Sequence, residues 1–413
     1  VPSWCRFETV GMRAALGMIA GAKFKVDYNG NVQAQAEVKK LNVLIGQHTY
    51  QMGIGGLHSQ EARVSHYSDE DFVLLDRDVT SYYPQSILLQ GMYPKHLGPV
   101  FLTVYRRIYD RRIAAKRAGD KSTAETLKIV LNGTFGKLGS SFSIFYSPNL
   151  MIQVTLTGQL AILMLIERLE LAGITVVSAN TDGIVSKVPR KRRAEFEAIF
   201  ADWERATGYT TEETEYRSIH SQSVNAYIAI KPNGDTKRKG FYTRSGPGLD
   251  GASGLKKNPD LEICVDAVVE CLTKGTPIEE TIEWCADVRK FLAVQRVNGG
   301  AEKDEQPIGK ALRWYHSKDV SGGFRRVDSG NSVPKTIGAK LMMELLDHVP
   351  SDVDYDYYVR ESYAILQDLG VETTDPVLRG RSGVMLARLP DHKNIHRVAA
   401  RTLATQPGGR RAA

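Results

Sequence analysis

Three features of the sequence predict an α+β fold built on an antiparallel sheet. The apolar run Phe72-Val73-Leu74-Leu75 ends in Asp76-Arg77-Asp78. Residues 174–188 read as strand, tight turn and strand around Asn180-Thr181-Asp182-Gly183. Long stretches of helical periodicity separate and follow these strands.

Taken in order, residues 1–75 read as mixed strands and turns with a Gly-rich knot at Gly53-Ile54-Gly55-Gly56. Val100 to Arg117 is an amphipathic helix with Val104, Ile108 and Ala115 on one side, broken at Ala118-Gly119-Asp120. A second helix opens at Ser122-Thr123-Ala124-Glu125, which fits a capping box, and stops at Gly136 and Gly139. So short a connection predicts an antiparallel helical hairpin. Met151 to Ala172 is a third, largely apolar helix, and Lys191 to Thr207 a fourth; Val224 to Tyr242 gives two strands around Pro232-Asn233-Gly234. Beyond residue 260 the chain reads as helical at 260–274, 277–297, 336–347 and 354–369, with 298–333 irregular and the tail 401–413 disordered. There are no internal repeats.

The 413 residues carry 54 Lys+Arg against 47 Asp+Glu, a net charge of +7, with 42% hydrophobic residues, which excludes collagen-like, coiled-coil and disordered chains. The length exceeds one core and calls for two or three domains. The apolar runs near 150–166 and 340–346 read as too short or too broken to span a bilayer, so no membrane partner is expected. Residue 1 is Val and no charged-then-apolar leader follows, so the sequence reads as a fragment or processed chain without a secretory signal. Cys5, Cys264, Cys271 and Cys285 show no C-x-x-C spacing and read as reduced thiols of a cytoplasmic protein.

Basic clusters recur: Arg106, Arg107, Arg111, Arg112, Lys116, Arg117 and Lys121; Arg190 to Arg193; Lys237 to Lys239. With the helical hairpin turning near Asp120, Arg112 faces Lys128 and Lys116 faces Ala124. Three cations would then converge with no carboxylate in view, an arrangement that calls for an anion between them.

Asp78 ends a strand and Asp182 sits at a hairpin tip. Singly, each has a bland explanation, since Asp caps turns and Asp-Gly is the commonest hairpin signal. Together with a cationic helical hairpin they are the parts needed to hold two Mg²⁺ ions and a triphosphate.

These residues also carry a family resemblance. Asp78-Val79-Thr80-Ser81-Tyr82-Tyr83-Pro84 resembles motif A of family B DNA polymerases. Lys128-x-x-x-Asn132-Gly133-Thr134-Phe135-Gly136 resembles motif B, and Asn180-Thr181-Asp182-Gly183 resembles motif C. The resemblance implies that Asp78, Asp182 and the Val79 carbonyl hold the metals (Mg²⁺, with Mn²⁺ able to substitute). It implies that the Ser81 and Tyr82 amides cradle the phosphates while Arg112, Lys116 and Lys128 grip the triphosphate. Tyr83 would exclude a ribose 2′-hydroxyl, and Asn132 would pack near the nascent base pair. Asn180 stands where the family has Asp, keeping an oxygen for metal or its water.

Three weaker matches extend the resemblance over roughly residues 50–245. Gly53 to Gly56 resembles a Tyr-x-Gly-Gly template loop, giving Gly55 and Gly56 as DNA contacts. Thr155-Leu-Thr-Gly158-Gln159 resembles Thr-x-x-Gly-Arg, giving Thr155 and Gln159. Lys237-Arg-Lys239-Gly240-Phe-Tyr242 resembles the element that holds the primer end, giving Lys237, Lys239 and Tyr242.

The implied fold is a right-hand polymerase. It comprises a pre-palm segment (1–75), an antiparallel-sheet palm (76–99 and 139–245), helical-hairpin fingers (100–138) and a mostly helical thumb (246–400). The implied reaction is template-directed addition of dNMPs from dNTPs to a primer 3′-hydroxyl, with primer–template DNA as partner. The first 75 residues show no Asp-x-Glu of a 3′–5′ exonuclease, so proofreading would lie upstream or on another chain, among other replisome proteins. Short intervals between motifs favour an ordinary primed template over protein priming, and the Asn-Thr-Asp-Gly turn points to a bacteriophage enzyme acting in an infected bacterial cell. One rival is a non-catalytic, polymerase-like subunit that binds primer–template DNA. An RNA-making polymerase is disfavoured by the bulk of Tyr83.

Overall fold

The computed structural model describes residues 1–39, 41–244 and 258–371. The chain divides into two units: Val1–Ala62 with His66–Ile219, and Arg63–Ser65 with the residues from His220 onward.

The first unit begins with helix α1 (Val10–Gly21), the hairpin β1 (Phe24–Val26) and β2 (Val32–Ala34), and the single turn α2 (Ala36–Lys39). Strands β3 (Asn42–Ile45), β4 (His48–Gln51), β5 (His58–Ser59) and β6 (Ala62–Tyr67) follow, then β7 (Phe72–Val79) and α3 (Tyr82–Leu89). Next come α4 (Val100–Arg117), α5 (Lys121–Lys137) and α6 (Pro148–Leu171), and after them β8 (Thr175–Asn180), β9 (Gly183–Pro189), α7 (Arg193–Thr207) and β10 (Thr211–Tyr216). Seven strands form one sheet in the order β10-β7-β9-β8-β5-β4-β3, antiparallel throughout. The expected antiparallel sheet is therefore present, and β8–turn–β9 is the hairpin read at Asn180–Gly183.

Helix α6 is the spine of this unit. Leu160 to Ile166 are all buried, and the Trp203 indole N–H of α7 donates to the Ala161 carbonyl at 2.8 Å. A helix apolar all round belongs inside a core. At 24 residues it is long and apolar enough to cross a membrane by length and composition, contrary to the expectation for run 150–166, but 78% of its most apolar window is buried within the fold.

Helix α1 was not expected in a segment read as strands and turns. Thr9 caps it, accepting from the Met12 N–H, while the buried Glu167 of α6 accepts from the Glu8 and Thr9 amides and the Thr9 hydroxyl (2.9, 3.0 and 2.6 Å). Gly11, Gly17 and Gly21 weaken its local signal, and a long-range acid fixes its start.

The helical hairpin forms as expected, with two corrections. In α4 the buried positions are Phe101, Tyr105 and Arg112, while Val104 faces out, because the Phe101 and Tyr105 rings stack and the Tyr105 hydroxyl donates to the Leu131 carbonyl (2.9 Å). The cap of α5 is Asp120, whose carboxylate accepts from the Thr123 N–H (3.0 Å); Ser122 lies inside the helix, and Glu125 pairs with Lys128.

The second unit contains the sheet β13-β12-β11-β6, to which β6 contributes Arg63–Ser65, and where β11 is Ser218–Ser223, β12 Ala226–Ile230 and β13 Thr236–Lys239. It continues with α8 (Glu262–Lys274), α9 (Ile278–Glu283), β14 (Ala293–Lys303), β15 (Gln306–His316), β16 (Arg325–Arg326), β17 (Ala339–Leu341) and α10 (Tyr355–Asp368). The mostly helical reading beyond 260 holds for α8 and α10, and in the stretch 277–297 only for the six-residue α9 and the short turn Val288–Phe291. Residues 293–316 are a long β-hairpin in the sheet β16-β14-β15-β17, and 336–347 contains a strand, not a helix. Gly299 and Gly300, at φ +82° and +95°, accompany a register shift within β14 that hides its alternation. Lys335 and Gly338, at φ +59° and +78°, forbid a helix start. The expected disordered tail, 401–413, lies outside the described residues.

Candidate active site

Two strand ends meet at the edge of the first unit's sheet. Asp78 on β7 sits opposite Gly183 of β9 on one side and Glu212 of β10 on the other. The Val79 N–H donates to the Asp182 carbonyl at 2.8 Å, which ties the turn of one hairpin to the end of the next strand. The turn is narrow: the Asp182 N–H donates to the Asn180 carbonyl (2.7 Å), and the Thr181 N–H to the Leu57 carbonyl (2.7 Å). Thr181, at φ +60°, holds a left-handed conformation that costs a β-branched residue about 1–3 kcal/mol, so this geometry is imposed by its surroundings.

Glycines shape the site. A Cβ at Gly183 would lie 2.0 Å from the Asp78 Oδ1, and one at Gly56 2.4 Å from the Thr181 Oγ1. A Cβ at Gly158 would lie 2.4 Å from the Tyr82 hydroxyl. The small residues of three separate motifs therefore make room for the carboxylate, the turn and the aromatic that opens α3.

Ser81, also left-handed at φ +51°, leads into α3. The Thr80 N–H is taken by the Thr210 carbonyl (2.9 Å), but the first N–H groups of α3 have no intrahelical acceptor, as at any helix start. Arg112, buried on α4, donates to the Ser81 hydroxyl, bringing a guanidinium to that helix start. A helix N-terminus beside a cation suits an anion. Tyr83 stacks on Phe135 of α5 with centroids 3.9 Å apart and planes 10° from parallel. Burial and the Asp182 charge push its phenol up to about 12, and burial holds the Tyr82 phenol well above its ordinary value.

The expected convergence of three unpaired cations is corrected. Lys116 pairs with Glu212 (2.6 Å to Oε2) and Lys128 with Glu125 (3.3 Å), while Arg112 stands at Ser81. Glu212 also accepts from the Thr80 hydroxyl at 3.2 Å, and the Lys116 contact holds its carboxyl below the usual range. Sequence reasoning missed Glu212 because β10, Thr-Glu-Glu-Thr-Glu-Tyr, has no apolar alternation. Asn132 is exposed on α5.

Two expected DNA contacts on α6 are buried. The Thr155 hydroxyl donates to its own helix, to the Ile152 carbonyl (3.1 Å). Gln159 accepts from the Gly53 N–H (3.0 Å) and donates to the Gly53 and Gly55 carbonyls (2.9 and 2.6 Å). It anchors the Gly-rich loop from inside, leaving Gly55 exposed and Gly56 against Thr181. In the second unit, Lys237 and Lys239 lie on β13 and are half-buried. Tyr242 is buried, its hydroxyl donating to the Gln222 side-chain oxygen at 3.2 Å, and so is not presented to DNA.

Among the described residues no group of three or more His, Cys, Asp or Glu side chains forms a closed metal cage. Two carboxylates with a carbonyl nearby suit Mg²⁺, which completes its octahedron with water and phosphate oxygens. The Asp78 carboxylate fits against residue 183 only because that residue is glycine: its oxygen fills the space a Cβ would take.

No protein-family model matches the chain. Over 88 residues it is 32% identical to DNA polymerase II of Escherichia coli (strain K12), a stretch covering 21% of this chain and 11% of that enzyme. The chain thus matches about a tenth of the length of that relative. Among solved structures, the family B DNA polymerase of Pyrobaculum calidifontis aligns with a TM-score of 0.44 and 14% identity, over 80% of this chain and 48% of that one.

Proposed function

We propose that this chain is the polymerising core of a family B DNA polymerase, adding dNMPs from dNTPs to a primer 3′-hydroxyl with release of pyrophosphate. The observation that carries the reading is the meeting of Asp78 with the Asn180–Gly183 turn, beside a helix start that Arg112 faces. The sequence match to a DNA polymerase supports it. The Asn-Thr-Asp-Gly form of the turn is the reason to assign the enzyme to bacteriophage genome replication in a bacterial cytoplasm.

Asp78, Asp182 and the Val79 carbonyl would hold two Mg²⁺ ions, with Asn180 as an outer oxygen donor; such a pair lowers the charge barrier at the attacking and leaving oxygens. The chain's own groups position the reactants. The Ser81 and Tyr82 amides and Arg112 bind the triphosphate; Lys116 and Lys128 exchange their carboxylate partners for phosphate oxygens. Tyr83, braced by Phe135, sits under the sugar as bulk, and its raised pKa keeps it a neutral phenol unsuited to act as a base. Asn132 borders the nascent pair, the loop of Gly55 and Gly56 meets the template, and Lys237 and Lys239 meet the primer strand.

Extension of a 5′-labelled primer–template with dNTPs and Mg²⁺, run beside Asp78→Asn, tests this. Extension by the wild type and none by the variant is expected. Duplex binding by both proteins with extension by neither would leave the non-catalytic DNA-binding subunit.

A further inference from the structure

Two aromatic rings stand fully in solvent on adjacent loops of the first unit. Tyr28, at the tip of the β1–β2 hairpin, is 97% exposed, and Phe142, in the loop after α5, is 101% exposed. The loops are docked next to both rings: the Tyr146 hydroxyl donates to the Gly30 carbonyl at 3.0 Å, and the Ser141 hydroxyl approaches the Asn29 carbonyl at 3.5 Å. Gly30, at φ +84°, permits this approach, since a Cβ there would lie 2.8 Å from the Ser141 Cβ. The Ile144 carbonyl is in turn held by the His96 ring nitrogen at 2.7 Å. The rings are thus carried on braced backbone.

The charge around them is positive. Between residues 23 and 34 the hairpin carries Lys23 and Lys25, both exposed, and Lys137 ends α5 just before the second loop. The hairpin's acid, Asp27, is engaged by the Asn29 and Asn31 amides and the Gln33 side chain (2.9, 2.9 and 3.0 Å). Exposed aromatics among lysines suit unpaired bases, whose faces stack while the lysines meet phosphates. Such a surface has little use for duplex, whose base faces are hidden.

The geometry points to a binding platform for single-stranded nucleic acid, with Tyr28 and Phe142 as stacking residues and Lys23, Lys25 and Lys137 along the backbone. Resting on the polymerase reading, its ligand is the unpaired template ahead of the primer end.

The test uses the full chain and fluorescence anisotropy with primer–templates bearing a 2- or a 12-nucleotide 5′ overhang, and with labelled dT20. The wild type should bind the long overhang more tightly than the short one. Tyr28→Ala with Phe142→Ala should erase that margin, weakening long-overhang and dT20 binding by roughly tenfold to a hundredfold. Binding and extension of the short-overhang substrate should not change. A margin retained in the double variant overturns the proposal. So does a wild-type self-association, seen in sedimentation, that the double variant loses, since the rings would then serve a protein contact. Because the anisotropy arm requires no catalysis, failure of the polymerase reading shows separately, as absent extension by the wild type.

Discussion

Asp78 and Gly183 face each other across β7 and β9 so closely that a Cβ on residue 183 would stand 2.0 Å from the carboxylate Oδ1. The Asp-Gly pair of the hairpin tip is therefore more than turn chemistry. The glycine admits the acid of the neighbouring strand, and in the proposed site the acid of the pair is the second metal ligand.

Gly183→Ala should push the Asp78 carboxylate out of its place while leaving the sheet register intact. A fall in kcat of a hundredfold or more, with a circular dichroism spectrum like the wild type's, is the expected outcome, because small displacements of positioned groups carry large rate penalties. Wild-type kcat would show that Asp78 tolerates the move.

Lys116 is paired with Glu212, so under the proposed reading phosphate must compete with that carboxylate for it. Glu212→Gln should lower the KM for dNTP by up to about fivefold with kcat unchanged, the scale of one exposed ion pair. The Glu212 carboxyl is held low by Lys116, so the pair is intact above the ordinary glutamate range and loosens as pH falls through the lowered value. The KM advantage of the variant should shrink over that acid range.

Gln159→Leu removes three hydrogen bonds from the Gly53–Gly55 loop and takes the partner from the half-buried backbone of Gly53. A loss of about 1–3 kcal/mol in urea unfolding is expected. Faster hydrogen exchange at the Gly53 amide would identify the loop as the place where it is felt.

His316 is buried, stacked on Tyr357 at 3.5 Å, and burial lowers its pKa to about 4. The unfolded state then binds the extra proton between its ordinary value near 6.5 and about 4, so stability falls as pH drops through that window. His316→Phe should flatten this part of the unfolding midpoint's pH profile. A profile unchanged by the substitution would place the acid sensitivity elsewhere.

What the sequence disclosed follows from which forces are local. The extent of α4, Val100–Arg117, was legible because a periodic run stops at Ala118-Gly119-Asp120. The strand–turn–strand of β8 and β9 was legible because Asn-Thr-Asp-Gly can hardly be anything else. Burial was harder to read. Thr155 and Gln159 look like surface groups until most of α6 is seen to be enclosed, and only the fold reveals that Gln159 serves a loop more than a hundred residues away (|i−j| = 106). Glu212 and the β14–β15 hairpin were hidden for a related reason: a polar edge strand and a glycine-interrupted one lack the alternation that marks a strand.

The central claim, a two-carboxylate polymerase site with Asn180 in place of a third acid, is tested most directly by single-turnover incorporation of one dNMP on a primer–template. Wild type, Asp182→Asn and Asn180→Asp are compared in Mg²⁺, with duplex binding measured in parallel. Incorporation by the wild type and by Asn180→Asp, and none by Asp182→Asn at equal duplex affinity, is the predicted result. Incorporation by Asp182→Asn at the wild-type rate, or by Asn180→Asp alone, would contradict it.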